Sequence, residues 1–156
     1  MATKALRNST YIVPTYEGDF AAWAHHQAML LRAGQLHLLD KGWLAEEIDD
    51  LGREQYHRLE SALRLILTHL LKWDHQPERR SRSWSATIRT QRRHAERQLQ
   101  KNPSLQARLE EAVTDAYGDA RGEASGETDL PLKVFPENCP YDWDTIMARS
   151  IEMPDE

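Results

Sequence analysis

The 156-residue sequence lacks almost every short pattern that announces a reaction. It holds one cysteine, Cys139, so no intrachain disulfide and no cysteine-paired zinc site can form. A lone thiol suits a reducing compartment, and a cytoplasmic location is expected. The seven glycines form neither a phosphate-cradling loop nor the strand-to-helix turn of a G-x-S-x-G nucleophile, and no H-E-x-x-H pair is present. No apolar run approaches the length of a membrane span, and MATKALRNSTYIVP lacks the apolar core of a signal peptide. Runs of alternating apolar and polar residues are missing too, which makes all-β and α/β classes poor fits. No catalytic residue, metal-ligand set or cofactor is expected, and no membrane partner.

What is present is a helical pattern with uneven charge. Hydrophobic residues make up 40% and charged residues 29%, values that suit a soluble globular chain. The net charge of −5 gives no overall field toward nucleic acid. Residues 78–101 nevertheless carry eight Arg or Lys against Glu78 and Glu96, and residues 110–156 carry thirteen acids against three bases.

The stretch from Trp43 to His75 organises the rest. Leu44, Ile48, Leu51, Gln55, Leu59, Ala62, Ile66, Leu70 and Trp73 recur at three- and four-residue spacing, one stripe of a long helix. Before Ser61 the opposite face is charged, so that half needs a neighbour on one side only. From Ala62 to Leu71 leucines wrap most of the circumference, and that half belongs inside a bundle. A first helix is expected over about 19–33, capped by Asp19 and ended by Gly34. Leu36, Leu38 and Leu39 are expected to pack as a lid under the helix pair. A basic third helix follows over about 83–101. A fourth is expected over about 105–127, with Ser104 as its N-cap. Three prolines in DLPLKVFPENCPY require an irregular strap, and a short helix can start at Asp142. The expected fold is all-α: an up-down-up-down four-helix bundle-like domain with a long central helix and a proline-containing C-terminal strap ending in a short helix. Residues 1–15 form an N-terminal arm and residues 16–156 a single helical domain.

Three groups of residues can carry function. His69 lies on the densest apolar surface, and a fourth helix parallel to the second brings Glu127 to its level. A polar cluster of His69, Glu127 and Arg82 beside Trp73 and Trp84 is therefore expected, and a structural network that fixes helix register is its simplest role. The second group is a basic face of Arg79, Arg80, Arg89, Arg92, Arg93 and Arg97, which offers phosphate contacts while the arginines scatter around the third helix. The third is Glu54-Gln55-Tyr56-His57, which has the spacing of one half of a di-metal site. That chemistry needs two such motifs, and a solvated helix face explains one better.

Several residue groups resemble the bacterial family called domain of unknown function 29. They include Tyr16-x-x-Asp19-Phe20-x-x-Trp23, Leu44-Ala45-Glu46-Glu47-Ile48, and His69-Leu70-Leu71-Lys72-Trp73. Further groups are Gln76-Pro77-Glu78-Arg79-Arg80, Glu127-Thr128-x-Leu130-Pro131 and Cys139-Pro140. The resemblance implies an α-helical fold and a bacterial, cytoplasmic protein, and supplies no catalytic residue. Gly122 and Gly126 stand where relatives tend to have better helix formers. The function that fits best is a non-enzymatic helical protein that binds a protein partner or itself as a homo-oligomer. Nucleic-acid binding through the third helix, and an enzyme or metal protein built on the His69–Glu127 cluster, are the alternatives.

Overall fold

A computed structural model describes residues 12–153, so most of the N-terminal arm expected over residues 1–15 lies outside the described residues. Among these the fold is all-helical: α1 (Phe20–Arg32), α2 (Lys41–His75), α3 (Arg82–Lys101), α4 (Leu109–Thr128) and α5 (Trp143–Ala148), joined by short 3₁₀ turns. Contacts divide the chain into two compact units, residues 1–50 and 51–156, with α2 running through the boundary.

Local chemistry sets the helix ends. The Asp19 carboxylate accepts from the Ala22 amide at 3.0 Å and starts α1. At its other end Gly34 adopts φ 71°, and the Gly34 and Gln35 amides bond back to the Leu31 and Leu30 carbonyls. This is the paired closure that needs a left-handed residue, and glycine takes that conformation without a steric penalty. Ser81 caps α3 through the Trp84 amide, and Asp142 caps α5 through the Thr145 amide. Asp129, at φ 59°, closes α4. Ser104 is not the cap expected of it. Pro103 opens two turns of 3₁₀ helix to Arg108, and α-helical geometry begins only at Leu109.

In the first unit Trp23, Gln27 and Leu30 form the buried stripe of α1. Tyr16 stacks on Trp43 at a 3.9 Å centroid distance and donates to the Glu47 carboxylate at 2.5 Å. The Gln27 side-chain oxygen accepts from the Asp40 amide at 2.9 Å, which fixes the turn into α2. The expected leucine lid is absent: Leu36 and Leu38 are 56% and 54% exposed. The one-turn 3₁₀ helix they occupy is too short to aim both side chains inward.

In the second unit α2 is buried around most of its girth from Leu59 to Trp73, as its leucine pattern requires. Ile88, Ala95 and Leu99 of α3 pack against it, together with Phe135, Ile146 and Ile151 of the C-terminal segment. From α4 come Ala112, Ala116, Ala120 and Ala124, one residue every fourth position. Methyl-sized side chains along one ridge let the α4 backbone approach closely. Each fully buried leucine or isoleucine contributes about 1.5–3 kcal/mol of hydrophobic stabilisation. No helix among the described residues is long and apolar enough to cross a membrane.

Candidate functional site

The apolar half of α2 also carries a polar line at four-residue spacing, Arg64, Thr68, Lys72 and Gln76, with Tyr56 two steps earlier. Residues four apart share a helix face, and this face meets α4. Tyr56 donates to Asp115 at 2.8 Å, Arg64 pairs with Glu123, and Thr68 donates to Glu123 at 3.1 Å. Lys72 meets Glu127 at 2.5 Å, and the Gln76 amide donates to the Thr128 carbonyl at 3.0 Å. Partner numbers rise together on both helices, so α4 runs parallel to α2 as the sequence implied.

This register brings Glu127 to the expected end of α2, where its direct partner is Lys72 rather than His69. The Lys72 side chain is 8% exposed, and its ammonium also lies over the Trp84 ring of α3, 4.5 Å from the centroid. Three helices thus converge on one cation. A buried ammonium needs such partners, because loss of hydration disfavours its charge. His69 stands one turn earlier, half-buried, and its Nδ1–H donates to the Leu65 carbonyl at 2.8 Å. Burial holds its imidazole below the ordinary pKa, and the Lys72 charge acts in the same direction, against the Leu65 bond and the Glu127 and Glu123 carboxylates. Trp73, 3% exposed, turns to other company: the Arg80 guanidinium lies 5.1 Å from its ring centroid and donates to its carbonyl at 2.9 Å. Arg82 is exposed at the start of α3.

A second polar group ties down the C-terminal segment. Asp74 accepts two hydrogen bonds from Arg149, at 2.6 and 2.9 Å, and one from the Tyr141 hydroxyl at 2.8 Å. Burial alone would raise the Asp74 pKa, yet these donors and the neighbouring positive charges bring it below its ordinary value. The Tyr141 hydroxyl is pushed far up by burial and by Asp74. Arg121 and Tyr117 of α4 donate to strap carbonyls at Phe135 and Pro136. Cys139 is half-buried, and burial raises its thiol, the opposite of an activated nucleophile.

Of the predicted basic residues, Arg92 is committed elsewhere. Its guanidinium donates to the Thr145, Ile146 and Arg149 carbonyls at the end of α5, at 2.8–3.2 Å. Arg79, Arg89, Arg93 and Arg97 remain exposed. The arginines of α3 are less scattered than the sequence reading held. At about 100° per residue, Arg82, Arg89, Arg93 and Arg97 fall within about 80° of one another, with Glu96 beside them. Glu54 and His57 each engage a neighbour on their own helix. They pair with Arg58 at 2.6 Å and Glu60 at 2.9 Å on the exposed helix face. Among the described residues no three His, Cys, Asp or Glu side chains converge as metal ligands.

The first unit holds a site that the sequence reading missed. A cavity of about 570 Å³ opens beside Tyr16, Trp23 and Trp43, with Gln27, Glu17 and Asp40 on its polar side. Trp23 is 2% exposed, and its indole N–H has no hydrogen-bond partner among the described residues. The signal was the clustering of three aromatic residues around one caps-and-turn segment, in a chain where only 8% of residues are aromatic.

The profile of the family described as Domain of unknown function DUF29 matches residues 15–151. The chain belongs to this family. The DUF29 match takes in both units, and so covers the aromatic cavity, the α2–α4 polar line and the strap anchored on Asp74. The DUF29 description assigns no activity. No curated protein and no solved structure matches the chain significantly.

Proposed function

We propose that the protein acts by binding another protein through its first unit, rather than by catalysis. The observation that supports this is where exposed apolar bulk collects. Ile12, Val13, Phe20, Met29, Leu31, Leu36, Leu38, Trp43 and Ile48 are all exposed large hydrophobics of residues 12–50, against Leu51, Leu132 and Val134 in the second unit. Such a concentration marks an interaction surface. On α1, Phe20, Ala24 and Leu31 form a stripe beside the buried Trp23–Gln27–Leu30 line, so the apolar arc is wider than the part already covered. Residues 12–50 also carry seven acids against Arg32 and Lys41. An apolar stripe in an acidic frame fits a basic amphipathic helix. The free, half-buried Cys139 supports a reducing, cytoplasmic setting. The Lys72–Glu127–Trp84 arrangement, with His69 above it, we take as a device that fixes the register of α2 and α4.

A photo-crosslinking amino acid at position 31, used in living bacterial cells, tests the reading. One protein with a basic amphipathic helix should be trapped, and the purified pair should separate when Phe20→Asp and Leu31→Asp are combined. Crosslinks only between copies of this chain would replace the partner with self-association, and no crosslink above background would refute the surface.

The shared face of Arg82, Arg89, Arg93 and Arg97 supports a second reading, contact with a polyanion such as nucleic acid. Retention on heparin that collapses with salt, and is lost when Arg89, Arg93 and Arg97 become Gln, would support it. Flow-through at low salt would end it.

A further inference from the structure

The cavity of the first unit brings aromatic and acidic groups together. Its wall includes Tyr16, Trp23 and Trp43, and its lining carries the Glu17 and Asp40 carboxylates and the His26 imidazole but no Lys or Arg. Aromatic faces and carboxylates with no lysine or arginine beside them make a favourable place for a positive group. Trp43 is 39% exposed, so its ring is accessible. The Trp23 indole is almost fully buried, and its N–H finds no acceptor among the described residues. Buried donors are nearly always satisfied, and an acceptor brought by a ligand would satisfy this one. The Gln27 oxygen is committed to the Asp40 amide, so it does not answer that need. The ligand therefore has to bring a positive group for the carboxylates and aromatic rings, together with an acceptor for the indole.

We propose that this cavity binds a guanidinium or alkylammonium group carried next to a carbonyl or carboxylate oxygen, the chemistry of an arginine or lysine residue. The oxygen accepts from Trp23, and the cation lies against the face of Trp43 that Tyr16 leaves uncovered, within reach of Asp40 and Glu17. The site shares Trp43 with the proposed partner surface, and Phe20 packs on Tyr16 and Trp23, whereas Leu31 does not line the cavity. The ligand can be a side chain of a basic polypeptide or a free cationic amino acid, which share this chemistry.

The test follows the assigned Trp23 indole resonance of the full chain by NMR during titration with three probes: acetyl-arginine amide, free L-arginine and the neutral acetyl-norleucine amide. The two arginine probes should shift it saturably, while the norleucine amide leaves it in place. Asp40→Asn should weaken binding about fivefold, the size of one partly exposed charge contact. Glu17→Gln gives a second variant on a loop should Asp40→Asn perturb the turn into α2. A Leu31→Asp protein should bind the probes unchanged, whatever becomes of the partner reading, because Leu31 does not line the cavity. Tighter binding of the amide points to a polypeptide source, and tighter binding of free arginine to a small molecule. An unmoved indole resonance, or an equal response to norleucine amide, would overturn the proposal and leave the cavity to water.

Discussion

Exchanging Glu127 for Gln should destabilise the protein more than exchanging its partner Lys72 for Met, although both changes break the same ion pair. The asymmetry comes from burial. The Lys72 side chain is 8% exposed and that of Glu127 51% exposed. Removing the carboxylate strands an ammonium between helices, where only the Trp84 face remains to offset its lost hydration. Breaking a fully buried pair this way costs about 3–5 kcal/mol, and breaking an exposed one about 0–1 kcal/mol. With one partner half in water, about 1.5–2 kcal/mol is expected for Glu127→Gln. Lys72→Met keeps the apolar stem in place and frees Glu127 to return to solvent, so its cost should stay near 0.5 kcal/mol, by the same exposed-pair reasoning, on the order of thermal energy. With an m-value of about 2 kcal/mol/M, the urea midpoint should fall by about 0.7–1 M for the first variant and about 0.2–0.3 M for the second. Far-UV circular dichroism across a urea series reads both. Equal losses, or a larger loss for Lys72→Met, would show that the ammonium is not held by its burial and would refute the account.

Asp74→Asn should cost about 2 kcal/mol, since it weakens the paired contact with Arg149 and the bond from Tyr141 together. Because the folded pKa of Asp74 lies below its unfolded value, its stabilisation is complete above about pH 4 and fades as pH falls toward the folded value. Urea midpoints between pH 2 and 6, conditions of the order set by carboxylate titration, should thus fall more steeply for the wild type than for the variant. His69 works in the same sense but at higher pH: its folded pKa is lowered, so protonation favours the unfolded chain, and stability should decline as pH drops below about 6.5 until the folded value is passed. A His69 ring titration by NMR with a midpoint at or above that of a free histidine would contradict this. Gly118→Ala and Gly122→Ala should each stabilise by about 0.5–1 kcal/mol, because both positions lie inside α4 with open space around the added methyl. A lowered melting temperature for either would mean that the helix needs glycine there.

Much of the helical order was legible from single residues. Gly34 and Asp142 marked their helix ends because backbone geometry demands those residue types there. The leucine-wrapped half of α2 announced its own burial, and two reversals of direction implied the parallel run of α2 and α4. The polar contacts were less legible. Lys72 lies in an apolar run and reads as an exposed lysine until α4 is placed beside it; the four-residue spacing of Arg64, Thr68, Lys72 and Gln76 was the available sign. Arg92 counted as one more surface charge, since nothing in α3 reveals that the end of α5 arrives there with open carbonyls. Leu36 and Leu38 misled because composition cannot show that a single 3₁₀ turn leaves both in water. The aromatic cavity depended on Tyr16 folding back onto Trp43, a tertiary contact with no local periodicity.

The polar line between α2 and α4 also bears on time. Its contacts join residues 52 to 59 apart in the chain, because α3 must be traversed before α4 can lie alongside α2. Closing so long a loop is entropically costly, whereas the α2–α3 hairpin forms over much shorter separations. A contact made after the main barrier to folding shows its loss mainly as faster unfolding, so Glu127→Gln should raise the unfolding rate more than it slows refolding. The seam that sets which way α4 points would then also set how long each folded molecule survives between openings.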